Sequence, residues 1–222
     1  MQAQRLLSLA LILGYSALAP SHAQVSSQQS VSSDDISVAE GLQLPTYGHI
    51  WALDTWKGIR ELVRLRPPAS STDDPGFSLK LRHGIEFKGE AAMVRVHDAA
   101  PLFFLRGVSG SDDGRSDLVV VRLSIEGERR AVTKEALAQM KQEAKHADAQ
   151  YSDVIGLKQQ RLGTTDWYRL SLRQVLTPGE YALVPLPSSQ GFAEGEIFDF
   201  AFDPQAPENS DPLRSEQYRG AE

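Results

Sequence analysis

The chain of 222 residues carries 29 acidic and 23 basic side chains, a formal charge of −6, and no cysteine. The acidic balance argues against nucleic acid and anionic membrane surfaces, which select clustered Lys and Arg. Without cysteine there is no disulfide staple, thiol nucleophile, iron–sulfur cluster or zinc–thiolate site, so packing must carry the stability.

Residues 1–23 have the layout of a secretory signal. Arg5 supplies the positive n-region, Leu6 to Ala19 the apolar h-region, and Ser21-His22-Ala23 a small-x-small site ahead of Gln24. The apolar run is shorter than the ~20 residues of a spanning helix, so no transmembrane segment is expected after cleavage. The mature chain is expected in a bacterial periplasm or secreted. Residues 24–45 are rich in Ser and Gln and read as a disordered linker.

A single folded domain is expected over 46–203. Segments 48–54 and 58–66 read as a hairpin around Asp54–Gly58, stopped by Pro67-Pro68. Strands at 79–89, 92–98, 101–107 and 118–126 follow, each bounded by Gly, Asp or Pro. Val94 and Val96 alternate with Met93, Arg95 and His97, the period of a strand with one buried face. Residues 118–123 are apolar on both faces, which places them centrally in a sheet.

Near 133–150 the period changes. Leu137, Met140, Ala144 and Ala147 have helical spacing, Thr133 is a natural N-cap, and the narrow stripe predicts a helix resting outside the sheet. Strands resume near 153–161, 166–175, 179–186 and 196–202, with Tyr168, Leu170 and Leu172 and then Phe198, Phe200 and Phe202 as further stripes. Residues 204–222 contain Pro204, Pro207 and Pro212 and no periodicity, the composition of a disordered acidic tail. The whole predicts an all-β chain: a two-sheet antiparallel β-sandwich, immunoglobulin-like or of related Greek-key order, with one peripheral α-helix. Most strands are shorter than the 9–11 residues of a transmembrane barrel strand.

Segments 89–98 (Gly-Glu-Ala-Ala-Met-Val-Arg-Val-His-Asp), 101–106, 176–184 (Leu-Thr-Pro-Gly-Glu-Tyr-Ala-Leu-Val) and 198–200 (Phe-Asp-Phe) carry a resemblance. They look like exported bacterial β-sandwich domains of unassigned function. The resemblance spans about residues 48–203 and implies a fold, with no functional residue to carry over.

Candidate chemistry is sparse. His97-Asp98 sets a base beside a carboxylate, but neighbours on a strand point to opposite faces, so a triad needs the turn that Ala99-Ala100-Pro101 offers. An exported hydrolase would gather His97, Asp98 and His49. Arg60 and Arg64, with Arg66, share one strand face and suit either an anionic ligand or cross-strand pairing with Glu86 or Glu90. Trp56, beside a turn, is the tryptophan expected to show, while Trp51 and Trp167 belong to the core.

Asp112, Asp113 and Asp117 offer carboxylates to calcium, although their spacing fits no EF-hand and Asp113-Gly114 suits a hairpin tip. The histidines have no metal-ligand spacing, and no cofactor is expected. A non-catalytic binding or structural module of the cell envelope is the favoured reading. It would meet an envelope protein or glycan through a sheet edge or hairpin loops. The hydrolase is one alternative. A closed-barrel small-ligand carrier is the other, and it requires a roomy interior that Phe104, Tyr168 and the Phe stripe would fill.

Overall fold

The computed structural model describes residues 36–67, 77–80, 84–107, 115–143, 146, 150–186 and 197–215, with 77–80, 84 and 115 given as backbone only. The described chain is mostly β-strand with one short helix. The strands are β1 (Ser37–Ala39), β2 (Leu42–Gln43), β3 (Ile50–Trp56), β4 (Ile59–Arg64), β5 (Phe77–Lys80), β6 (Gly84–Lys88), β7 (Arg95–Val96) and β8 (Leu102–Arg106). They continue with β9 (Arg115–Glu126), β10 (Arg129–Val132), the helix α1 (Lys134–Glu143), β11 (Val154–Arg161), β12 (Trp167–Leu172), β13 (Gly179–Pro185), β14 (Phe198–Phe202) and β15 (Leu213–Arg214).

The described strands do not divide clearly into the two sheets of a sandwich. Thirteen strands join in one curled sheet, and β1–β2 form a small hairpin apart. The main path runs β15-β4-β3-β8-β12-β11-β9, after which β9 hands on to β13, β14 and β7. The physical reason is the length of β9. Its 12 residues pair with β11 and β13 in the first part and with β10 through Leu123–Glu126, so it feeds a β10-β6-β5 wing as well. Among the described strands, only β14–β7 is parallel.

Period-two side chains sort the apolar residues to the two faces. The concave face collects Ile50 and Ala52 (β3), Phe103 and Leu105 (β8), Val120 (β9), Leu157 (β11), Leu170 (β12), Tyr181 and Leu183 (β13), and all three phenylalanines of β14. The ring of Phe200 lies 5.3 Å from Phe103 and 5.7 Å from Tyr181, so the interior is filled by aromatic packing. The alternate residues face outward. Trp51, Leu53, Leu62, Phe104 and Trp167 are covered by Leu42 and Leu44 beside the β1–β2 hairpin. Val119, Val121, Ala182 and Val184 are covered by α1 and the wing.

Several boundaries differ from expectation. Within the Ser-rich lead, residues 36–44 already pack, because Leu42 and Leu44 find an apolar surface waiting on β3, β4 and β12. The helix starts where the Thr133 hydroxyl accepts the Ala136 N–H at 3.0 Å, but it buries Ala136, Met140 and Glu143, a stripe rotated by one residue from the sequence reading. Residues 204–215 are no solvated tail. Ala206 and Ser215 are buried, and β15 pairs with β4, Arg214 opposite Glu61. Asp113-Gly114 lies outside the described residues; among the described strands, β8 and β9 are not partners of each other. No described helix is long and apolar enough to cross a membrane.

Candidate functional site

The β3–β4 hairpin turns through Lys57 and Gly58, both at positive φ (49° and 83°), as a two-residue turn of the primed class. That tight turn fixes the register and sets Asp54 directly opposite Glu61. Asp54 follows the alternation of Ile50 and Ala52, whose side chains are core. Two carboxylates facing each other on an inward phase repel and lose hydration, so both need partners.

The partners come from distant chain. Asp54 Oδ1 accepts the backbone N–H groups of His97 and Asp98, each at 2.8 Å, and Asp54 Oδ2 lies 2.7 Å from His97 Nδ1. His97 Nε2 lies 3.2 Å from the Ala206 carbonyl oxygen. Both ring nitrogens thus face oxygen atoms of the chain. On the other carboxylate, Arg214 Nε and Nη2 donate to Glu61 Oε2 at 3.1 and 2.8 Å, and Arg214 also pairs with Glu208. Glu61 Oε1 is buried with no hydrogen-bond partner. Burial pushes the Glu61 carboxyl above the usual range, opposed by Arg214 and reinforced by the neighbouring Asp54. Half-buried Trp56 covers the group, its ring 5.1 Å from the Arg214 guanidinium and 6.5 Å from the His97 ring.

This cluster lies where β7 comes alongside β3, across which no ladder is formed. It is therefore a seam, closed by side chains. Nearby, the Asn209 amide accepts the Arg95 N–H at 3.0 Å and donates to the Arg95 carbonyl at 2.8 Å, pairing with β7 as a strand would.

A cleft of about 310 Å³ opens near the seam, between the C-terminal end of β4, residues 91–94 and residues 209–211. Val63, Pro67 and Val94 give it apolar walls, and Met93, 87% exposed, stands at its rim. Its charged groups are Arg64, Arg66, Lys88 and Arg130 against Asp199 and Asp211. Arg130 is buried and bound to Asp199 (2.7 Å) and Glu180 (3.2 Å), and Arg66 pairs with Asp211 at 2.9 Å. Arg64 lies with its guanidinium 5.9 Å from the Tyr47 ring. A larger hollow, about 790 Å³, lies between the β1–β2 hairpin and β15 and borders undescribed chain at both ends.

The sequence-derived candidates are dispersed. Of the residues singled out, His97 and Trp56 meet in the cluster, and Arg64 lines the cleft. Asp98 does not orient His97; its Oδ1 accepts the Ala100 N–H in a local turn. The orienting carboxylate is Asp54. His49 sits before the other end of β3, five residues from Asp54 and hence about 16 Å away along an extended strand. Arg60 is exposed, and Glu86 pairs with Arg129, outside the Arg60–Arg66 face. Asp117 lies exposed on β9, while Asp112 and Asp113 fall outside the described residues. Trp51 and Trp167 are core.

The residues missed are Glu61 and Arg214, with Asp54 in its role as partner of His97. Their signal was a carboxylate on the apolar phase of each arm of one tight hairpin. No protein-family model, no curated protein and no solved structure matches this chain.

Proposed function

We propose that this chain is an exported, non-catalytic binding module of the bacterial cell envelope, and that the cleft beside Met93 receives its partner. The signal-like residues 1–23 motivate the location, periplasmic or secreted. The observation that carries the binding reading is the make-up of the cleft: apolar walls of Val63, Pro67 and Val94, the Arg64 guanidinium and exposed Met93, in a chain of net charge −6. Such a surface complements an acidic group attached to an apolar one, as an envelope protein segment presents. A methionine at the rim suits it, because an unbranched thioether adapts to irregular apolar contacts. The volume stands at the lower end for ligand sites, so one or two side chains would enter.

The curled sheet is read here as flattened into two facing layers, in the manner of a sandwich. The support is the close approach of Phe103 on β8 to Phe200 on β14 across the interior.

A photoreactive side chain placed at Met93 in the exported protein tests the reading. The expected result is one discrete crosslinked partner in the envelope, absent when the probe replaces exposed Val175 and weakened by Arg64→Glu. Equal labelling from both positions, or labelling indifferent to Arg64→Glu, would overturn it.

A further inference from the structure

The buried group at the seam has one donor atom on each of three side chains left over by its outer contacts. Asp54 is held through Oδ1 by two backbone N–H groups, which leaves Oδ2. Glu61 is held through Oε2 by Arg214, which leaves Oε1 buried and unpartnered. His97 is held through Nε2 by the Ala206 carbonyl, which leaves Nδ1. One donor atom from each of the three residues lies within 4.8 Å of the other two.

We propose that Asp54, Glu61 and His97 form a binding site for one divalent transition-metal ion of the zinc class, tying the β3–β4 hairpin to the chain after β7.

The outer contacts are those that such sites use. A ligating imidazole commonly gives its second N–H to a backbone carbonyl, and ligating carboxylates are themselves hydrogen-bonded. Mixed imidazole and carboxylate donors select zinc-like ions over calcium or magnesium, which favour oxygen alone. Donors sharing one zinc stand roughly 3–3.5 Å apart, from metal–ligand distances of ~2.0–2.2 Å, so closure asks for side-chain shifts on the order of 1 Å. Binding takes the place of the direct Nδ1–Oδ2 contact and gives the orphaned Glu61 oxygen a partner. Three protein ligands leave a position for water.

The experiment uses the mature protein stripped with a chelator and refolded with and without Zn²⁺ or Co²⁺. The expected result is one ion per chain, visible ligand-field bands for Co²⁺, and a shift of the His97 Nδ1 resonance in the ¹⁵N spectrum on adding Zn²⁺. Glu61→Gln and His97→Gln should each weaken binding by more than the ~10–100-fold that loss of an outer partner costs, while His49→Gln leaves it unchanged. The proposal is overturned if the folded wild type binds no stoichiometric ion, if the ion leaves His97 Nδ1 unshifted, or if folded Glu61→Gln binds as tightly as wild type. The Co²⁺ spectrum and the nitrogen resonance need no variant, so a misfolding substitution does not protect the idea.

Discussion

At the scale of single residues, the interior is decided by a few large side chains and one missing one. Phe200 is fully buried between Phe103 and Tyr181. Phe200→Ala should cost ~3–5 kcal/mol in urea unfolding, and a loss below about 1 would mean the ring is not core. Gly156 on β11 matters for the opposite reason. A Cβ there would stand 2.5 Å from Glu143 Oε1, which reaches down from α1 toward Arg173. Gly156→Ala should destabilise by ~1–3 kcal/mol through overpacking. Removing the obstruction with Glu143→Ala should recover part of that loss, measured as a coupling in a double-mutant cycle; strict additivity would refute the clash.

At the scale of elements, most of the strands were legible in the sequence because period-two alternation records which face is wet. The Val94/Val96 stripe, the three phenylalanines of β14 and the doubly apolar β9 all lie where that pattern puts them. What alternation does not record is who pairs with whom. The branching of the sheet follows from β9 pairing with β10, β11 and β13 along its length, and β15 is two residues long, too short to show any period. The seam was hidden for a related reason: its members are separated by 43 residues for Asp54 and His97 and 153 for Glu61 and Arg214. His97 stood out beside Asp98, yet only the three-dimensional fold supplies Asp54. The hairpin that carries Asp54 and Glu61 depends on Gly58, whose positive φ meets no steric neighbour. Gly58→Ala should therefore cost ~1–2 kcal/mol from backbone conformation alone, read from thermal unfolding, with no loss of core packing.

At the scale of the whole molecule, residues 203–215 act as a strap that ties β7 to β4. It contributes three groups to bonds across the seam: the Ala206 carbonyl, the Asn209 amide and the Arg214 guanidinium. Truncation after Asp203 removes all three and leaves Glu61 buried without its cation. Breaking one buried ion pair from one side costs ~3–5 kcal/mol, which for a chain of this size lowers the melting temperature by ~6–20 °C. A truncated protein melting with the full-length chain would show the strap to be ornamental. Arg214→Ala alone should show much of the same loss, since the carboxylate it abandons is fully buried.

The amide of Asn209 has one more consequence. Because it occupies both main-chain groups of Arg95, the outer rim of β7 presents no vacant ladder to a second molecule. A chain without a single cysteine to crosslink it is thereby spared strand-to-strand pairing along that border, and the guard is a single side chain.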